Sequence, residues 1–162
     1  MSHVIRRATA ADAGALARCR LDLFRELDHE PPPGPAPVFE AVCQETLARF
    51  LEEGTCVAWV AETPGEPAPV GSLVVLIYPR LPSPGNLRTT EGYILSVFVA
   101  PAERHRGIAS ALTQTAINHA RQAGFARLRL HATRWGRPVY ERAGFRRRDD
   151  EMELDLAAME CA

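Results

Sequence analysis

The chain has 162 residues, of which 46% are hydrophobic and 24% charged, and its formal net charge is −1. That length predicts a single domain, residues 1–162, with a core of its own. The balance of 19 basic and 20 acidic side chains lacks the basic excess of a nucleic-acid binder, and no stretch reaches the ~18 apolar residues of a membrane span.

Cys19, Cys43, Cys56 and Cys161 are scattered, with no C-x-x-C pair, so neither a zinc site nor a thioredoxin-type motif is read and no metal is expected. The first residues, Met1 to Arg7, contain no apolar run of the secretory kind. Together these features predict a cytoplasmic protein with free thiols.

Val4 to Ala8 reads as a first strand. Thr9, with Asp12 three residues on, resembles a capping box and opens a helix from about Ala10 to Leu27. The proline-rich stretch from His29 to Pro37 is an extended loop, because its prolines fix φ and lack donors. Helical spacing returns from Val38 to Glu53, and Gly54 closes it. Thr55 to Ala61 and Val70 to Tyr78 are β-rich runs joined through a Gly/Pro segment, the pattern of a hairpin. Tyr93 to Val99 is the next strand. A central helix follows over Gly107 to Ala123, and then an alternating strand over Ala126 to Ala132. A short helix around Pro138 to Arg142 ends at Gly144. Phe145 to Arg148 and Met152 to Leu156 read as final strands. The predicted class is α/β: a mixed, mostly antiparallel sheet of about seven strands with helices on both faces.

The densest signal lies between the Tyr93–Val99 strand and the central helix. There the chain reads Arg104-His105-Arg106-Gly107-Ile108-Ala109, followed by Ser110. A turn at a helix start gathers backbone N–H groups and the positive end of the helix dipole. Glycine lets an anion approach the backbone, and arginine adds fixed positive charge. A phosphate-bearing ligand is the natural occupant. The nucleotide-binding patterns G-x-x-x-x-G-K-[ST] and G-x-G-x-x-G are both missing.

Arg104-x-x-Gly107-x-Ala109, together with Pro138-Val139-Tyr140-Glu141-Arg142-Ala143-Gly144-Phe145 downstream, resembles the two signatures of the GCN5-related N-acetyltransferase (GNAT) family. The element order resembles that family along the whole chain, and the close motif match covers about residues 91 to 146. The resemblance implies an acetyl group carried by coenzyme A. It implies a bulge in the Tyr93–Val99 strand that splays it from the Ala126–Ala132 strand, with pantetheine against the backbone of Val97, Phe98 and Val99. It places the pyrophosphate on the amides of His105, Arg106, Gly107, Ile108, Ala109 and Ser110, beside Arg104. It also implies a homodimer.

In such a reaction an amine attacks a thioester and a thiolate leaves. By match to the family's tyrosine, Tyr140 is the candidate general acid or thiolate stabiliser. The proton acceptor is left open among Glu91, His131 and water. The acceptor is a small-molecule or peptide amine, and an acidic cluster at Glu26, Asp28, His29 and Glu30 points to a cationic one. Arg127, Arg129, Arg146, Arg147 and Arg148 are candidates for the 3′-phosphate of the adenosine end. Where the family often has an asparagine ahead of the tyrosine helix, this chain has Arg134-Trp135-Gly136. A non-catalytic acyl-CoA-binding module is the alternative reading.

Overall fold

A computed structural model describes residues 3–27 and 36–154. Its elements are β1 (Val4–Arg7), a 3-10 turn (Ala10–Asp12), α1 (Ala13–Glu26), α2 (Ala36–Glu53), β2 (Cys56–Glu62), β3 (Gly71–Pro79), β4 (Thr90–Val99), α3 (Ile108–Gln122), β5 (Leu128–Leu130) and α4 (Arg137–Arg142). The strands form one sheet in the order β1-β2-β3-β4-β5. The first four pair antiparallel, and β5 runs parallel to β4.

The sheet is buried on both faces, which explains the near-continuous apolar runs of β2 and β3. One face carries Trp59, Leu73, Val75 and Ile94 against Ile108, Leu112 and Ala116 of α3. The other carries Ala58, Val60 and Val74 against Leu16 and Ala17 of α1 and Leu47 of α2. Helices therefore cover both faces, as the periodicity predicts.

Five strands are present among the described residues, rather than about seven. Residues 145–154 form no strand, and positions 155 and 156 of the last expected strand lie outside the described residues. The run Arg146 to Glu151 is charged at every position, so it has no apolar face to bury. Its charges pair locally instead, Arg147 with Asp149 at 2.8 Å and Arg148 with Asp150 at 2.7 Å. The strand predicted over Ala126 to Ala132 shortens to three residues, for a reason that bears on the site.

The chain entry into α1 is tied to the sheet by charge. Arg6 on β1 donates to both Asp12 oxygens, at 2.9 and 2.8 Å, and to Glu62 on β2. The Thr9 N–H donates to Asp12 Oδ2 at 2.8 Å. The Arg6 hydrogen bonds hold the Asp12 carboxyl down at about 2. A depressed carboxyl stabilises the fold above its unfolded value of ~3.9 and loses that contribution as pH falls through about 2. Asp12→Asn should therefore cost about 1 kcal/mol at pH 7, and the gap to wild type should close between pH ~4 and ~2. Urea midpoints measured at pH 7 and below 2 check this; a gap that persists at the lower pH would refute it.

Candidate active site

The sheet opens at one place. Strands β4 and β5 pair through Gly92–Leu128, Tyr93–Arg129 and Ile94–Leu130 and then part. Gly92 permits the close pairing, since a Cβ there would sit 2.8 Å from both Leu128 and Val75. The parting has a cause in β4. Its register with β3 steps from Val74–Leu95 to Ser72–Phe98, so β4 carries one extra residue there. Ser96 takes φ +53°, the left-handed region that a serine rarely adopts. This is a β-bulge, which bends its strand and turns it away from a neighbour.

Two contacts hold the bulge. Arg20 Nη1 reaches from α1 and donates to Ser96 Oγ at 2.6 Å, and the Ser72 hydroxyl donates to the Ser96 carbonyl at 3.4 Å. Ser96 is thus the residue at which β4 leaves β5. Val97, Phe98 and Val99 lie beyond it, on the part of β4 that no longer pairs with β5.

The opening leads to the basic turn. His105 has φ +62° and Gly107 φ +80°, two left-handed residues flanking Arg106, and α3 begins at Ile108. The first N–H groups of a helix have no partner within it, so those of Ile108, Ala109 and Ser110 are available at this end. Gly107 is exposed, and a Cβ built on it meets nothing within 4 Å, so the cradle is open. Arg104 ties the turn down: its Nε donates to the Val99 carbonyl at 3.0 Å, and Nη2 grips both Glu26 oxygens at 2.6 and 2.5 Å. Arg106 pairs with Glu103 at 3.1 Å. Glu26 is thus engaged with Arg104, and the remaining acidic-cluster residues, Asp28, His29 and Glu30, lie outside the described residues.

Tyr140 lies on α4 and is 9% exposed. Its ring meets Phe145 edge-on at 5.9 Å, and Gly136 lets the ring approach, since a Cβ there would lie 3.0 Å from it. Burial pushes the phenol up to about 12. Its hydroxyl makes no hydrogen bond among the described residues.

Glu91 is 5% exposed and faces three guanidiniums: Arg80 at 3.6 Å, Arg127 at 3.3 Å and Arg129 at 3.5 Å. Its Oε2 has no hydrogen bond. Arg127 and Arg129, read in sequence as candidates for the adenosine phosphate, are here the partners of this carboxylate. The sequence carried one usable sign of this: in a parallel pair, alternate residues of the second strand share a face.

Tyr93 and His131 are brought together across the point of divergence. The Tyr93 hydroxyl is hydrogen-bonded to His131 Nδ1, and His131 Nε2 stands 3.9 Å from Glu151. In the sequence Tyr93 is only the first residue of a strand-like run. Its partner is 38 positions away, and no local pattern joins them.

A strand pair that parts at a bulge and points into a left-handed turn at a helix start defines a class: proteins that grip an extended, phosphate-bearing ligand through the backbone. The comparisons give that class its family. Residues 21–145 match the acetyltransferase (GNAT) family, and the chain belongs to it. A GCN5-related N-acetyltransferase from Ralstonia eutropha is 30% identical, with a TM-score of 0.79 over 96% of this chain and 99% of that one. A predicted acetyltransferase with acetyl-CoA from Clostridium acetobutylicum has a TM-score of 0.85 over 97% of this chain and 98% of that one; at 24% identity the likeness is one of fold. The glucosamine 6-phosphate N-acetyltransferase of Trypanosoma brucei brucei is 32% identical over 87 residues, 54% of this chain and 57% of that relative. The chain therefore spans little more than half the length of the curated relative it matches.

Proposed function

We propose that the protein is an acetyl-CoA-dependent N-acetyltransferase that acetylates a primary amine by direct attack. The observation that carries this is the β4 bulge, which parts β4 from β5 ahead of the left-handed turn at α3, where the first helix N–H groups have no partner within the helix. When bound, acetyl-CoA supplies a thioester whose C–S bond breaks as the amine forms an N–C bond, releasing a thiolate. Val97, Phe98 and Val99 offer strand backbone to the pantetheine arm. The turn from Arg104 to Ser110 holds the pyrophosphate, with Arg104 acting through the backbone it fixes.

Tyr140 donates a hydrogen bond to the departing sulfur. An alkylamine is largely protonated at neutral pH, with about 0.04% in the reactive form, so the ammonium must lose a proton. His131 stands one residue past the last β4–β5 pair, at the opening itself, and takes that proton while bonded to Tyr93. Glu91, on the same face of β4 as Tyr93, supplies the negative charge that keeps this strongly basic wall balanced.

The match to a glucosamine 6-phosphate N-acetyltransferase supports a small amine as acceptor. Thiol release from acetyl-CoA, followed across amino sugars, amino acids, polyamines and peptide N-termini, tests the reading. Release above the hydrolytic background with at least one amine class is expected. Tight acetyl-CoA binding with no release for any class would instead favour a non-catalytic acyl-CoA sensor.

A further inference from the structure

Helix α1 carries three arginines. Arg18 pairs with Glu40 at 3.4 Å and Arg25 with Asp22 at 3.0 Å. Arg20 has no carboxylate partner among the described residues. Its own helix offers none, since positions 16, 17, 23 and 24 are Leu, Ala, Leu and Phe. It is half-buried, with its guanidinium 4.8 Å above the Phe24 ring, and Phe39 of α2 meets that ring edge-on at 5.8 Å.

Burial lowers the Arg20 pKa from its ordinary value, yet an arginine stays charged. A desolvated cation without a counter-ion costs free energy. Ser96 Oγ takes one of the five N–H donors of the guanidinium, and that contact fixes where the charge sits: against the bulge at which β4 parts from β5. The other cationic cluster on this face, Arg80, Arg127 and Arg129, is already arranged around Glu91, and Arg129 also pairs with Glu151 at 3.0 Å.

We infer that Arg20 is an anion subsite for the acceptor, so that the amine acetylated here carries a carboxylate or a phosphate within a few bonds of its nitrogen. This rests on the acetyl-transfer reading above. The anion supplies the counter-charge that α1 lacks, and the planar guanidinium fixes the acceptor bidentately. The rings of Phe24 and Phe39 lie beside it as an apolar flank. Pairing with Arg20 positions the acceptor beside the bulge, where its amine can reach the thioester.

The test compares matched acceptors, an amino acid against its amide and a hexosamine phosphate against the free hexosamine, by thiol release. Calorimetry of the same compounds on the coenzyme A-loaded protein runs alongside. One anionic member should exceed its neutral partner at least ~30-fold in kcat/KM, and which pair shows the preference separates carboxylate from phosphate. Arg20→Gln should erase that preference through KM, and Arg20→Lys, which keeps the charge and a donor for Ser96 Oγ, should restore part of it.

Equal kcat/KM for charged and neutral partners in the wild type would overturn the inference while leaving acetyl transfer standing. So would a Gln variant that slows both members equally, the mark of a role confined to holding Ser96. If neither anionic compound binds the loaded protein and no amine releases thiol, the inference and the proposed function fall together.

Discussion

Gly107→Glu is expected to abolish acetyl-CoA binding, with at least a 100-fold loss of affinity by calorimetry. Two effects add at this position. The backbone sits at φ +80°, where any side chain costs about 1–2 kcal/mol. The new carboxylate then enters the space the phosphates would use and repels them there. Gly107→Ala separates the two. A Cβ at Gly107 has no neighbour within 4 Å, so alanine carries the backbone strain and no steric clash. Alanine should therefore weaken binding by about tenfold or less, and the difference between the variants measures the charge term. That term is electrostatic at an exposed site, so it should shrink as salt rises. Glutamate and alanine variants with equal affinity would show that no phosphate lies against this turn.

The asymmetry between what could and could not be read from sequence follows from the range of the interactions. The turn was legible because its determinants are consecutive: a strand, an Arg-x-x-Gly-x-Ala stretch and an amphipathic helix. Gly107 reads in the sequence only as a place where an anion can approach, although glycine also adopts the left-handed conformation at little cost. That of His105 has no sign in its residue type. The bulge is expected from the family resemblance, and the structure has it, but the residues of the strand give no sign of it. Tyr93 to Val99 reads as one uninterrupted strand, and the partner that holds Ser96 is 76 positions earlier, on α1. The shortening of β5 follows from the bulge rather than from its own sequence, which alternates well past Leu130. The strand read over Phe145 to Arg148 erred the other way: it runs into the uniformly charged Arg146 to Glu151, which leaves nothing to bury. The chemistry-bearing contacts of the site, Arg20 with Ser96, Tyr93 with His131 and Glu91 with its three arginines, all join separate elements. Composition announces their residue types and cannot announce their meeting.

Tyr140→Phe is expected to lower kcat about 100-fold while acetyl-CoA affinity stays within about twofold. The phenol is held up at about 12, and a thiol has a pKa of ~8.5. Complete proton transfer to the departing sulfur would then be uphill by ~3.5 units, or ~5 kcal/mol. A hydrogen bond to the thiolate needs no such transfer, and one to a charged group contributes ~1.5–3 kcal/mol, enough for the expected loss. The substitution is well suited to isolate that bond. The hydroxyl has no other hydrogen-bond partner among the described residues, and phenylalanine keeps the contact with Phe145, so thermal stability should change little. The pH profile gives an independent reading. A tyrosine held near 12 keeps its proton through the ordinary range and loses it only as pH rises toward that value. The wild-type rate should therefore show no alkaline fall attributable to Tyr140 below pH ~11. An alkaline limb near pH 10 that disappears in Tyr140→Phe would mean that the ring is solvated in the loaded enzyme. An unchanged kcat would remove Tyr140 from the chemistry and leave it as a packing residue of α4.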